Sequence, residues 1–169
     1  MHARRLGLAL NKLHARVYSA TGGRVGGRMA GRRVLLLKTT GRKTGKSRVT
    51  PVAYVEHEDE LMVVAAGGGR KQPPAWLLNL EANPRVEVTI GSRRIAAHAR
   101  VLNGDEREEV WRRLCMLDQY LPALQQRAGR KLAVAALRLA AEPARTGTVA
   151  PQPQPMVGAV PTGADPASI

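Results

Sequence analysis

Early in the chain, two strand-like segments are separated by a short polar turn. Val34–Thr39 and Val49–Val55 are rich in aliphatic and β-branched residues, and Pro51 makes a helix unlikely in the second segment. Gly41 and Gly45 lie between them and supply the backbone freedom that a tight turn requires. Two such segments joined by a glycine-containing turn predict an antiparallel hairpin, so the fold includes a β-sheet.

The turn ends in Gly45, Lys46 and Ser47, which is also how the phosphate-binding P-loop ends. That motif requires a glycine five positions before Gly45, but position 40 is threonine and Gly41 stands one position too late. A P-loop also leads into a helix, whereas a strand follows this turn. The sequence argues against a nucleoside-triphosphate site and leaves two interpretations of the basic turn: a solvated hairpin tip or an anion-binding loop.

The positive charge of the chain is concentrated in its first third. The formal net charge is +14, and the segment from Met1 to Val55 contains thirteen Lys or Arg and no Asp or Glu. The rest of the chain is nearly neutral, with fourteen basic and thirteen acidic side chains. This asymmetry predicts an acidic partner: a nucleic acid, an anionic membrane or a multiply charged small molecule. Nucleic acid is the least favoured, because the basic residues lack interleaved aromatic side chains that stack on bases.

Few side chains in this sequence suggest metal or thiol chemistry. The single cysteine, Cys115, excludes an internal disulfide and suggests a reducing, cytoplasmic compartment. Its place on an apolar helix face predicts a buried structural thiol. No apolar run approaches the ~20 residues of a transmembrane helix. The histidines lack the spacing of metal ligands, so no metal site is predicted: His2, His14, His57 and His98.

The two ends of the chain differ in character from its middle. The first twenty residues predict an amphipathic helix with apolar positions at Leu6, Leu10, Leu13 and Val17. This helix either docks on its own domain or lies on the anionic inner face of the cell membrane. A basic linker, Arg24–Arg33, follows, so residues 1–32 form one unit and residues 33–142 the folded domain. Residues 143–169 are proline-rich and almost uncharged, which predicts a disordered tail.

The folded domain is a succession of short strands with few helices. Leu61–Ala66 is very apolar, which predicts a central strand. The other predicted elements are a helix from Pro73 to Asn83, strands Val86–Ile90 and Arg94–Val101, helices Asp105–Leu117 and Pro122–Arg127, and a last strand Leu132–Leu139. Many strands joined by short turns predict a mostly β protein with helices, of the α+β class, built on a closed or half-closed antiparallel barrel.

Three motifs of this chain occur in an order that is typical of one enzyme family. The segments LLLKTTGRKTGKSRVTPVAYV, VVAAGGG and PAWLLNLEANPRVEVTIG resemble the deazaflavin-dependent nitroreductases. The resemblance covers Leu35–Val101 and extends more weakly from Asn11 to Pro143. It implies an actinobacterial-like oxidoreductase with a split β-barrel, the antiparallel fold of FMN-binding-like proteins. It also implies coenzyme F420, an 8-hydroxy-5-deazaflavin, as the cofactor, with FMN as the alternative.

The resemblance further implies which residues contact the coenzyme. F420 carries a phosphodiester, a lactyl carboxylate and a glutamate tail, and in this family the basic hairpin holds that anionic arm. The implied contacts of the arm are Arg42, Lys43, Thr44 and Arg48, which suits the preference of arginine for phosphates and carboxylates. The rest of the implied pocket consists of Val49, Thr50, Pro51, Val52, Ala53, Val64, Ala65, Ala66, Gly67, Ala75, Trp76, Leu77, Leu78 and Asn79. Two roles stay open: Trp76 is either core or a stacking partner, and Asn79 caps either backbone or a ring edge.

The chain departs from the family pattern at positions that bear on ligand contacts. The family often has Lys or Asn where Gly67 stands, so Arg70 or Lys71 would have to replace a missing anion contact. Relatives carry several tyrosines near Asp118–Leu124, where only Tyr120 remains here. Because those tyrosines line the substrate side in relatives that reduce nitro compounds, their loss favours a quinone over a nitro compound as the acceptor.

The sequence therefore predicts an enzyme that transfers a hydride from reduced F420 to a small hydrophobic acceptor such as a quinone. No side chain stands out as a catalytic acid, since the hydride chemistry belongs to the coenzyme and the protein positions it. Two alternatives stay open: an FMN-binding or non-enzymatic cofactor-carrier protein with the same split barrel and, more remotely, a nucleic-acid-binding protein.

Overall fold

The computed structural model describes Tyr18, residues 27–29 and residues 31–140. Most of the predicted N-terminal helix and linker, and the predicted tail at residues 143–169, lie outside the described residues. Within the described part of the chain, no helix combines the length and the apolar character that crossing a membrane requires.

The core of the fold is a barrel of six antiparallel strands. The described residues form seven strands, of which β2 to β7 make up the barrel: β1 (Arg28–Met29), β2 (Arg32–Thr40), β3 (Ser47–His57), β4 (Glu60–Val64), β5 (Arg85–Ile90), β6 (Arg93–Val101) and β7 (Val134–Leu139). β2, β3, β4, β7, β6 and β5 pair in that order, and β5 pairs again with β2, which closes the sheet. Helix α1 (Ala75–Ala82) follows β4, whereas α2 (Gly104–Leu117) and α3 (Tyr120–Ala128) lie between β6 and β7. The predicted antiparallel barrel with helices is confirmed.

Several element boundaries differ from the predicted ones by one or two residues, and two of these differences have a clear local cause. β4 ends at Val64 rather than at Ala66, because the chain turns away through Gly67–Gly69, three glycines that all have positive φ. α3 begins at Tyr120 rather than at Pro122. Pro122 then falls in the first turn of the helix, where the missing N–H costs no intrahelical hydrogen bond.

Two described parts of the N-terminal region contact the barrel. Arg28–Met29 forms β1 and pairs antiparallel with the first residues of β2, so the predicted linker is partly a strand. Tyr18 is helical and buried. Its hydroxyl donates to the Val34 carbonyl at 3.1 Å and accepts from the Gly91 N–H at 2.9 Å. Tyr18 is thereby joined to β2 and to the turn between β5 and β6.

Strand β4 is shared by two hydrophobic clusters. The first cluster fills the barrel and includes Leu61 and Val63. The second lies between the outside of the barrel and helices α2 and α3, and it includes Met62 together with Trp111 and Leu114. Because β4 is buried on both faces, its sequence is a continuous apolar run instead of an alternating one. This burial, and the position of β4 between β3 and β7, confirm the predicted central strand.

A group of four charged residues, here called the Glu60 cluster, ties β4 to β6, β7 and α2. The Glu60 carboxylate accepts hydrogen bonds from Arg100 at 2.7 Å and from Arg138 at 3.2 Å. Arg100 also pairs with Glu106 at 2.7 Å. The hydrogen bond from Arg100 outweighs the effect of burial and lowers the pKa of Glu60 below its ordinary value. The carboxylate therefore stabilises this side of the barrel in its ionised form.

Candidate cofactor site

The tip of the β2–β3 hairpin is a compact loop with a defined backbone. The Gly41 N–H donates to the Lys46 carbonyl at 2.9 Å, and the Gly45 N–H donates back to the Gly41 carbonyl at 2.7 Å. Gly45 has a φ of 65°, a left-handed conformation that favours glycine. A Cβ on Gly41 would lie 3.0 Å from the Lys46 carbonyl oxygen, so a larger residue would push the loop open. Both glycines of the predicted turn therefore have a structural role.

The basic side chains of this tip form no ion pair with any described residue. The four cations are Arg42, Lys43, Lys46 and Arg48, and all are exposed. Salt bridges within the described residues use other cations, such as Arg32 with Asp118 and Arg100 with Glu60. Four unpaired positive charges on a short loop produce a local potential that attracts an anion. Of the two predicted interpretations, the anion-binding loop is the one that this arrangement supports.

Helix α1 holds the base of the basic loop through one buried amide. The Asn79 Oδ1 atom accepts a hydrogen bond from the Arg42 backbone N–H at 3.2 Å, and its Nδ2 atom donates to the Thr39 hydroxyl at 3.2 Å. Asn79 is 6% exposed, so its amide is largely shielded from water. A buried amide that lost these partners would be costly. Asn79 thus caps backbone, one of the two roles predicted for it.

Strand β3 has an outer side that becomes more open toward the basic loop. Alternate strand residues face opposite sides of the barrel wall, and Val52 belongs to the interior cluster. On the outer side, Val55 packs against the cluster beneath α2 and α3. Farther along, Pro51 and Ala53 are half-buried and Val49 is 41% exposed. These last three residues form an open apolar surface next to the four cations, here called the outer strip.

The predicted pocket residues divide between the core and the surface. The buried ones, which a ligand does not reach in this structure, are Val52, Ala65, Trp76, Leu77 and Asn79. The ones that keep exposed surface are Arg42, Lys43, Thr44, Arg48, Val49, Thr50, Pro51, Ala53, Val64, Ala66, Gly67, Ala75 and Leu78. Trp76 and Leu77 belong to the interior cluster, which favours the core role of Trp76 over a stacking role.

The glycine loop after β4 brings in a cation that the sequence did not indicate. Gly67, Gly68 and Gly69 have φ values of 57°, 69° and 73°. A Cβ on Gly69 would lie 2.9 Å from the Cδ atom of Arg127, so the side chain of Arg127 lies directly over this glycine. Arg127 is exposed and pairs with no described residue, and it stands 58 positions away along the chain. Only the packing of α3 against the loop brings the two together.

Helix α3 runs from the start of β2 to the glycine loop. At its first residue, the Tyr120 ring lies 5.6 Å from the Cζ atom of Arg32. At its other end, Arg130 in the following loop donates to the Ala65 carbonyl at 2.9 Å. Nine helical residues span roughly 12 Å. Tyr120, the remaining tyrosine of the predicted substrate side, is therefore about one helix length from Arg127.

The described residues outside this region offer few reactive groups. No group of three or more His, Cys, Asp or Glu among them is placed to hold a metal ion. Cys115 is half-buried, and burial raises the pKa of its thiol, so the thiolate form is disfavoured. This agrees with the predicted structural thiol, although burial of Cys115 is partial. The site thus consists of cations, backbone groups and apolar surface.

Comparisons with known proteins place the chain in one family. Residues 10–138 match the model of the F420H(2)-dependent quinone reductase family. An F420H(2)-dependent quinone reductase of Mycobacterium tuberculosis is 41% identical over 98 residues, which are 57% of this chain and 66% of that protein. The chain therefore spans just under two thirds of the length of this curated relative.

Solved structures give the same result. A structure described as an F420-H2 dependent reductase (FDR-A) is 33% identical, with a TM-score of 0.55 over 62% of this chain and 92% of that one. A second, described as a domain-swapped dimer, is 30% identical, with a TM-score of 0.58 over 76% of this chain and 96% of that one. The predicted resemblance to F420-dependent oxidoreductases is confirmed, although the matched family is named for quinones and not for nitro compounds. This chain belongs to the F420H(2)-dependent quinone reductase family.

Proposed function

We propose that this protein is an oxidoreductase that binds coenzyme F420 against the outer strip and transfers a hydride from the reduced coenzyme to a quinone. The observation that carries the proposal is a set of four exposed cations, paired with none of the described residues, on a loop that Asn79 holds beside an apolar surface. Family membership supports the identity of the ligand, since relatives are named F420H(2)-dependent quinone reductases.

The residues present fit the two parts of this coenzyme. The phosphodiester and carboxylates of its arm match Arg42, Lys43 and Arg48, because guanidinium and ammonium groups form charge-assisted hydrogen bonds with such oxygens. The planar ring system matches the outer strip, whose small side chains allow close approach. When bound, the deazaflavin supplies the hydride, and the chain binds and orients it and keeps water from one face.

In this proposal Arg127, on helix α3, supplies a cation from outside the hairpin. Relatives often have a cationic or amide side chain where this chain has Gly67, and Arg70 or Lys71 are the replacements that the sequence suggests. Arg127 is favoured over both, because the packing of its aliphatic part on Gly69 gives its position a physical cause. The anionic arm then has positive charge on the hairpin and on α3.

A quinone fits the acceptor side better than a nitro compound does. The outer strip is apolar, and a reduced quinone takes its protons from water without a placed donor. A nitro group benefits from a nearby hydrogen-bond donor, and Tyr120 is the one tyrosine in the region where relatives have several. A small hydrophobic quinone is therefore the proposed partner of the reduced coenzyme.

We also propose a cytoplasmic location for this reaction. The single cysteine and the use of a soluble, multiply charged coenzyme support it. The basic amphipathic helix predicted at the start of the chain supports peripheral contact with the inner face of the membrane. That helix lies almost wholly outside the described residues, so this contact rests on its sequence.

Binding is tested by titrating the full-length protein with F420, FMN and a short DNA duplex at equal ionic strength. We expect saturable quenching of F420 fluorescence and much weaker binding of FMN and DNA. Tighter binding of FMN would favour the FMN-binding alternative, and binding of DNA alone would favour the nucleic-acid-binding one.

Activity is tested separately, with reduced F420 and an added acceptor. We expect menadione to accelerate reoxidation of the coenzyme, measured by the return of its visible absorbance, and a nitroimidazole to do so less. If the protein binds F420 but accelerates reoxidation with neither acceptor, it is a coenzyme carrier and not a reductase.

A further inference from the structure

The corner between α2 and α3 exposes three large apolar side chains. Met116 is 76% exposed, Leu117 63% and Tyr120 70%. Among the described residues, Val49 is the other large hydrophobic residue that stays exposed. Single exposed apolar residues are ordinary, but a group of them on a folded surface marks a contact site. Three within five positions of chain form such a group, here called the apolar corner.

The apolar corner is held in place by hydrogen bonds and one ion pair. The Asp118 N–H donates to the Leu114 carbonyl at 2.9 Å, and its carboxylate accepts from the Tyr120 N–H at 3.0 Å. The same carboxylate pairs with Arg32 at 2.6 Å, which joins the corner to the barrel. The exposed side chains therefore lie on a turn that these contacts hold in place.

The exposed face of α2 changes character along the helix toward this corner. Its first turns carry the acidic residues Asp105, Glu106 and Glu109, and its later turns carry Arg112 and Arg113. Because residues three and four positions apart share a helix face, the two arginines lie one turn behind the apolar corner. Going back along α2 from the apolar corner, the exposed residues are therefore first the two arginines and then the acidic residues.

The two arginines and two residues of the apolar corner line the same cavity. A cavity of about 450 Å³ is bordered by Arg112, Arg113, Met116 and Leu117, together with His57 and Glu109. Long arginine side chains place their aliphatic parts along apolar surface and keep their charged ends in the polar layer above it. The two arginines and the two apolar side chains are therefore close enough to contact one partner together.

We propose that the apolar corner docks on an anionic lipid surface. Met116 and Leu117 enter the boundary between head groups and acyl chains, the Tyr120 ring lies at the interface, and Arg112 and Arg113 contact lipid phosphates. In this orientation the apolar residues of α2 lie at the acyl-chain boundary, the arginines at the lipid phosphates and the acidic residues in the water beyond. This surface is distinct from the predicted N-terminal helix and does not depend on the proposed reaction.

Charge decides between a lipid surface and a second copy of this chain. A two-fold contact through the apolar corner would bring the arginines of both copies close to one another. Each copy also carries a net charge of +14, which opposes self-association. An anionic lipid surface supplies the opposite charge that these arginines lack.

The apolar contribution is tested by co-sedimentation with vesicles of phosphatidylcholine and phosphatidylglycerol in equal amounts. The double variant Met116→Ser with Leu117→Ser should lower the partition coefficient by about tenfold or more, because two apolar side chains no longer leave water. Ala96→Ser changes an exposed apolar residue elsewhere and should leave the coefficient unchanged. Melting temperatures establish that each variant is folded.

The basic contribution is tested with matched charge changes. Arg112→Gln with Arg113→Gln should lower partition on these vesicles several-fold and reduce its salt dependence. Arg94→Gln with Arg85→Gln removes the same charge from exposed positions elsewhere and should change partition much less. Vesicles of phosphatidylcholine alone should bind all forms weakly.

Three outcomes would overturn this proposal. The first is a wild-type protein that does not bind the anionic vesicles. The second is equal partition of the wild type and the Met116→Ser, Leu117→Ser variant, which would leave binding to the basic N-terminal segment. The third is a dimer in light scattering that this double variant converts to a monomer, with no change in vesicle binding, which would make the corner a contact between copies.

Discussion

Arginine and lysine side chains occur in two different settings in this molecule. In the Glu60 cluster, Arg100 and Arg138 share one buried carboxylate, and Arg100 pairs with Glu106 as well. At the hairpin tip, four cations stand together without a carboxylate among the described residues. The first arrangement neutralises its charge within the fold, and the second leaves its charge for an external anion. Residue type is the same in both, so the presence of an acidic neighbour separates the stabilising cations from those that we propose to bind the coenzyme.

The largest expected effect comes from removing cations at the tip. Lys43→Ala with Arg48→Ala should weaken F420 binding by roughly a hundredfold at low salt, because two charge-assisted hydrogen bonds are lost. The loss should shrink as salt rises, since exposed charges are screened. Fluorescence titration of both proteins at low and high salt measures it. Arg94→Ala with Arg112→Ala is the matched control, and equal dissociation constants for all three proteins would refute the assignment.

The second prediction concerns Asn79, which joins the hairpin tip to helix α1. Asn79→Ala should destabilise the protein by about 1–3 kcal/mol, because the Arg42 N–H and the Thr39 hydroxyl lose a buried partner. F420 binding should weaken by about tenfold, since the loop no longer holds its cations in position. Urea unfolding and fluorescence titration give the two values. A stability loss with unchanged affinity would separate Asn79 from ligand binding.

The Glu60 cluster should show the opposite behaviour. Glu60→Gln should lower stability by about 1 kcal/mol, a modest value because Arg100 and Arg138 are partly exposed to water. Affinity for F420 should not change. A depressed pKa in the folded state means that the stabilisation is complete above the ordinary pKa of Glu60, about 4.5, and is lost as pH falls below it. Urea unfolding from pH 7 to pH 3 should therefore show a smaller pH dependence in the variant than in the wild type.

The smallest effect is expected at the cation that lies outside the hairpin. Arg127→Ala should weaken F420 binding by about threefold to tenfold, as for one exposed charge contact. Arg127→Lys keeps the charge and should recover part of the loss. The control is Lys71→Ala, which removes a neighbouring exposed cation. If Lys71→Ala has the larger effect, the cation near the glycine loop is Lys71 and not Arg127.

The hairpin could be predicted from sequence because its signals are local. Two β-branched segments, two glycines and four cations without an acidic residue among them all lie within about twenty residues. Alternate residues of a strand face opposite sides, and Val52 faces the barrel interior, away from the outer strip. This alternation argues against Val52 as a coenzyme contact beside Val49 and Ala53.

Contacts between distant segments could not be predicted in this way. Arg127 meets Gly69 only because α3 packs along the barrel, and no spacing in the sequence encodes that approach. Tyr18 is a similar case. Its apolar neighbours defined the predicted helix face, whereas the hydrogen bonds of its hydroxyl to Val34 and Gly91 depend on closure of the barrel.

The double burial of β4 has a consequence for how the molecule loses its structure. A strand that contributes Leu61 and Val63 to one cluster and Met62 to the other cannot leave the sheet without opening both. The barrel and its two covering helices are therefore expected to unfold as one cooperative unit, and amide protons of β4 to exchange only through global opening. The basic loop contributes to neither cluster, so a ligand that binds its cations does not have to open that unit.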